Sequence, residues 1–307
     1  MASAALRIVR AAIGAVVIGF ATWTLVRQWD AVRTQGIAWQ LSPAWIVASL
    51  LLTWVMYLLL VGGWRALIVS WGERLAFWPG VRIWLLAGLG KYLPGKVWAL
   101  LGMAVLAERE GVRGPVAMAS SVVMQLLALA TGAAVAIAAL GGAVLDRAVP
   151  FGQTGAIGVG VATLASAALV THAPTMRWLG ERLGQPEAVR AVRLGELAVA
   201  AVPNLVAWLG YGVALVWLAQ GTLGGVTLAP VLATGAFAAS YLAGYLFVLA
   251  PGGVGVREGV LVLLLQDAIG VGNALALAAV SRLALTVNEL GVALPLLLLR
   301  RSSRDDA

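Results

Sequence analysis

Ala250-Pro251-Gly252-Gly253-Val254-Gly255-Val256-Arg257-Glu258-Gly259 is the stretch whose reading decides the fold. Apolar runs flank it, over 237–249 on one side and 260–265 on the other. A proline and three glycines within five residues cannot continue a helix: Pro251 lacks a backbone donor, and glycine favours flexible backbone. Broken backbone at membrane depth is tolerated only where protein or a water-filled cavity surrounds it. Arg257 and Glu258 stand beside the break, where charge is costly and usually functional. A second Pro-Gly break lies upstream in Gly90-Lys91-Tyr92-Leu93-Pro94-Gly95-Lys96-Val97-Trp98, also within an apolar run, and it holds the only two lysines of the chain.

Composition sets the surroundings of these breaks. Of 307 residues, 62% are hydrophobic and 11% charged, less than half the charged share of an ordinary soluble domain. The mean hydropathy is +0.96. These values describe a polytopic membrane protein. No alternating segments of about ten residues recur, which argues against an outer-membrane barrel. The absence of cysteine excludes disulfides and thiolate metal sites. The net charge of +8 fits cytoplasmic loops rich in arginine or an affinity for anionic head groups. No soluble basic domain is present to bind nucleic acid.

Working outward, full spans are expected at about 11–26, 43–70, 115–140, 154–170, 197–219 and 272–299. Trp45 and Trp64 are spaced to mark two interface belts, which Trp29, Trp39, Trp71 and Trp78 would continue. Between the spans, 80–107 and 229–267 carry the two breaks. The arms of the first are too short to cross and predict a re-entrant hairpin. Residues 229–249 are long enough to span alone, so eight full crossings stand as the alternative to six spans plus two hairpins. The polar segment 172–195 reads as a cytoplasmic linker, partly a surface helix. With both termini cytoplasmic, most loop arginines fall inside. The first hairpin then enters from the cytoplasm and the second from outside. The expected fold is therefore an all-α polytopic membrane domain over 1–307. It contains an inverted repeat of span–hairpin–span units, at about 43–140 and 197–299, an architecture of transporters.

Candidate site residues follow from the breaks. Pro251, Gly252, Gly253 and Gly255 free backbone N–H groups at the start of a half-helix, which attracts anions, and Arg257 adds a fork suited to phosphate. Close helix packing with Arg257 and Glu258 neutralising each other is the competing reading. Lys91, Tyr92, Pro94, Gly95 and Lys96 form the first turn, where the lysines either face a ligand or snorkel to the surface. Arg282 and Glu289 lie two turns apart on one face of the last span, with Asn288 adjacent. Pairing of Arg282 with Glu258 or Glu289 is expected. Gln125 reads as helix–helix glue. One histidine and no cysteine leave catalysis little support, so the chain is not read as an enzyme, and no cofactor or metal is expected.

At these residues the sequence resembles the transmembrane, flippase-like domain of the lysylphosphatidylglycerol synthase family. The segment 251–259 looks like its C-terminal hallmark, followed by an arginine in the last span, here Arg282. The first motif departs from the family pattern of Asn, then Leu-Pro-Gly, then Gly-Glu and Arg, because Lys96 follows Gly95. In the next span Gln125 stands where a charged residue is common. The resemblance covers about 43–299 and implies lipid translocation between leaflets of the cell membrane. The cargo would be an anionic or lipid-linked lipid of the phosphatidylglycerol or polyprenyl-phosphate-sugar type. The chain ends at Ala307 without the soluble aminoacyl-transferase domain, so lysyl-lipid synthesis is not expected. A non-transporting scaffold for a cell-envelope glycosyltransferase is the second reading, and a membrane enzyme acting on a lipid phosphate is the third.

Overall fold

The computed structural model describes residues 37, 39–92, 97–141, 144, 152–182, 191–247 and 251–298. The expected first span at 11–26 and the residues Pro94, Gly95 and Lys96 lie outside them. The described residues form helices α1 (Pro43–Ser70), α2 (Phe77–Gly88), α3 (Val97–Glu108), α4 (Gly114–Leu140), α5 (Gly152–Thr171), α6 (Ala173–Arg182), α7 (Leu194–Thr222), α8 (Pro230–Leu246), α9 (Val256–Ile269) and α10 (Val271–Leu298). Short 3-10 turns at Leu89–Tyr92 and Pro251–Gly253 lead into α3 and α9. Helices α1, α4, α7 and the Val271–Gly291 part of α10 are long and apolar enough to cross a membrane. The chain is an all-α, multi-pass membrane protein. Prolines open α1, α4 and α8 at their first turns, where the missing N–H would have no intrahelical partner.

The arms of the first break, α2 and α3, have 12 residues each, about 18 Å at 1.5 Å per residue. That is far short of a hydrocarbon core of about 30 Å. They pack against each other head to tail. A Cβ at Gly90 would stand 2.6 Å from Ala99 N, and one at Gly102 would stand 3.2 Å from Ala87 Cα. Arg113 before α4 donates to Glu73 after α1, so the chain enters and leaves this hairpin at one end of the bundle.

The second break behaves alike. Helix α8 ends at Leu246, capped by Phe247, and α9 packs along α8. At 17 residues, α8 is shorter than the four helices long and apolar enough to cross. Gly253, at φ +69°, lies so close to Gly244 that a Cβ would come within 2.8 Å of the Gly244 Cα. At position 253 only glycine permits that approach.

Helices α1 and α7 form the largest helix contact and run antiparallel. Ser42 N donates to Gly221 O at 2.9 Å, and Ser49 Oγ to Ala214 O at 2.7 Å. Further along, Met56 faces Gly210, and Gly63 faces Pro203. The remaining contacts exchange in the same sense. Helix α4 packs on α8 while α10 packs on α2; α4 also packs on α3, and α10 on α9. Helices α1–α4 and α7–α10 are thus two units with matching contacts, each a long helix, a broken pair and a long helix.

Packing also corrects the aromatic belts. Trp64 is fully buried, and its Nε1 donates to Ser120 Oγ at 3.0 Å. Trp71 is buried too, whereas Trp39, Trp45 and Trp78 are exposed. Two tryptophans expected at an interface therefore belong to the core between α1, α2 and α4.

Candidate functional site

The 3-10 turns before α3 and before α9 touch each other, and beside them lies a cavity of about 330 Å³. All eight helices of the two units contribute to its wall. Polar lining comes from Tyr57, Lys91, Gln125, Asn204, Arg257, Arg282 and Glu289. Aromatic lining comes from Trp84, Trp208, Tyr211, Phe237, Tyr241 and Tyr245. These aromatic residues are interior side chains of otherwise apolar helices, and only the folded packing turns them to a common space. Their signal in the sequence is weak, because a tyrosine in a membrane span reads first as an interface anchor.

Each break supplies a charged arm to the wall. Lys91, in the first turn, donates to Glu289 Oε1 on α10, and Tyr57 OH on α1 donates to the same oxygen at 3.1 Å. At the second turn, Arg282 Nη1 donates to Gly252 O at 2.8 Å and stands 3.6 Å from Glu258 Oε1. Helix α10 thus holds both 3-10 turns, through Arg282 and Glu289, spaced two turns along one face. Of the two expected partners, Arg282 takes Glu258, and Glu289 takes Lys91.

Glu258 also closes the start of α9: its Oε2 accepts from Gly255 N at 2.7 Å. An acid in the first turn complements the helix dipole. Gly255 takes φ +82° there, a left-handed conformation that disfavours a side chain. Arg257 is only 8% exposed. Its guanidinium carbon lies 4.8 Å over the Phe237 ring and 6.0 Å from the Tyr241 ring centre. Its Nη2 is buried and has no hydrogen-bond partner among the described residues.

The structure therefore brings Lys91, Gly252, Gly253, Arg257, Arg282 and Glu289 to one cavity. Pro251 is in the turn, and Tyr92 ends the other turn. Asn288 points elsewhere: it is buried and its Nδ2 donates to Leu50 O at 3.3 Å. Gln125 does not serve as the expected glue, since its Nε2 is buried without a hydrogen-bond partner among the described residues. Asn204 does bond within its helix, to Ala200 O at 2.9 Å.

A family model described as the lysylphosphatidylglycerol synthase TM region matches residues 7–287 of the chain. No curated protein matched the sequence.

Proposed function

The chain belongs to the lysylphosphatidylglycerol synthase transmembrane family, and we propose that it moves a lipid with an anionic head group between the leaflets of the cell membrane. Membership supports a lipid-related membrane role. The observation that carries the rest is Arg257: a buried guanidinium whose Nη2 has no hydrogen-bond partner among the described residues, on the wall of a cavity where the two 3-10 turns meet. A buried charged donor without an acceptor is costly, and a phosphate oxygen would satisfy it. In this reading the head group sits between the hairpin tips while the acyl or prenyl chains stay in the bilayer. Alternating access would come from one inverted unit rocking against the other, with both termini cytoplasmic. Binding and release suffice for this task, so no covalent step is assigned to the chain.

The test is reconstitution into vesicles with a labelled anionic lipid and measurement of leaflet exchange. Wild-type protein should accelerate exchange, and Arg257→Ala should slow it. Exchange no faster than in protein-free vesicles would sink the transport reading.

A further inference from the structure

The two 3-10 turns are fastened to α10 by different chemistry. The second is held at a neutral atom: Arg282 Nη1 donates to Gly252 O at 2.8 Å. The first is held at a charged one: Lys91 donates to Glu289 Oε1, the oxygen that also accepts from Tyr57 OH at 3.1 Å. Lys91 and Tyr57 belong to the unit α1–α4 and Glu289 to the unit α7–α10, so this tie bridges the two units. The Arg282–Gly252 contact lies within the second unit. Both ends of the bridging tie line the cavity, and Lys91 is 44% exposed, so a solute in the cavity reaches its ammonium.

An anion in this space, the premise of the proposed function, meets that tie directly. Among the described residues the wall carries three cations, Lys91, Arg257 and Arg282, and one carboxylate, Glu289. Glu289 is therefore an anion on a tether. In the empty cavity it holds the lysine that an entering phosphate would take. Two anions within about 4–6 Å of each other repel, and more strongly between helices than in water. Phosphate and Glu289 thus compete for Lys91. The Gly252 carbonyl bears no charge, and the Arg282 guanidinium has further N–H groups to offer, so the second tie survives the same event. A ligand shifts a two-state equilibrium only by its differential affinity for the two states. Here the difference is the displaced carboxylate.

We propose that the protein is an exchanger: Glu289 latches the two units together when the cavity is empty, and an anionic head group releases the latch. Reorientation in either direction then needs a loaded cavity, so inward passage of one lipid is coupled to outward passage of another. A uniporter, by contrast, must return empty.

The test places labelled phosphatidylglycerol in the outer leaflet of phosphatidylcholine vesicles that contain the full chain. The inner leaflet either holds phosphatidylcholine alone or also carries unlabelled phosphatidylglycerol. Wild-type transfer should run about two- to five-fold faster toward the loaded inner leaflet, the effect of one partly exposed ion pair. Lys91→Met and Glu289→Gln break the tie from opposite sides, and both should bring that ratio to about one. They alter the charge of the cavity in opposite senses, so a purely electrostatic effect would drive their ratios apart. Lys91→Arg retains the tie and should retain the acceleration. Equal wild-type rates into both kinds of vesicle, a measurement that needs no variant, overturn the exchanger and leave transport standing. A ratio unchanged in both variants, or ratios that move apart, also overturns it. No transfer into either kind of vesicle sinks transport and the exchanger together.

Discussion

Lys91 in the first hairpin turn donates to Glu289 on the last helix, across 198 residues of chain. Seven residues earlier on the same helix, Arg282 grips the carbonyl of Gly252 in the second turn. Both breaks are therefore fastened to one helix from opposite units. A movement of the units against each other would have to strain or release one of these two contacts.

Lys91→Met and Glu289→Gln are each expected to lower the thermal midpoint in detergent. The swapped pair Lys91→Glu with Glu289→Lys should recover part of the loss. Lys91 is 44% exposed, so a double-mutant cycle should show only about 0.5–1 kcal/mol of coupling. Additive effects of the two single variants would remove the tie between the turn and α10.

At Arg257 the expected order of leaflet-exchange rates is wild type, then Lys, then Ala, with at least about ten-fold between the ends, the effect of one charged hydrogen bond. Lysine supplies charge without the planar fork that lies over Phe237. Adding Glu258→Gln to Arg257→Ala should not restore exchange, since Glu258 is held by Gly255 N and Arg282. Recovery in the double variant would mean that the arginine only neutralised its neighbour.

Two glycines of the second break separate packing from backbone conformation. Gly253→Ala must both adopt φ +69° and push into the Gly244 backbone, so it should cost upwards of about 2 kcal/mol. Gly255→Ala meets open space at φ +82° and should cost about 1 kcal/mol. Thermal unfolding in detergent reads both. An equal cost would place the close approach of Gly244 and Gly253 in error.

The chain contains no cysteine, which makes cross-linking clean. Met56→Cys with Gly210→Cys should form a disulfide under mild oxidant, because a Cβ at Gly210 would fall against the Met56 side chain. Met56→Cys with Ala200→Cys, two to three turns out of register, should not. Efficient linking of the second pair would refute the antiparallel packing of α1 on α7.

The membrane class and both breaks were legible because they are local properties. Hydropathy is a sum along the chain, and a Pro-Gly turn stops a helix wherever it occurs. The predicted span 43–70 and the helix α1 coincide, and the broken segments differ from prediction by a few residues at their ends. The charged residues were also visible, since a charge in an apolar run stands out. Their pairing was not. Arg282 chose Glu258 while Glu289 chose Lys91, a choice set by which faces of α9, α10 and the first turn come together.

Trp64 shows the same division from the other side. Its spacing from Trp45 suited an interface belt, but the fold buries it against Ser120, 56 positions away. Gln125 was read as glue, and instead its Nε2 lies at the cavity wall without a hydrogen-bond partner among the described residues. By itself, the sequence determined the solvent this chain lives in, where its helices must break, and which residues carry charge at depth. The tertiary structure alone decided who meets whom: α1 against α7, Lys91 against Glu289, and Arg257 among aromatic rings around a shared cavity. The physical reason is that hydropathy and helix breaking depend on neighbours in sequence, whereas pairing and cavity shape depend on side chains brought together from helices far apart in the chain.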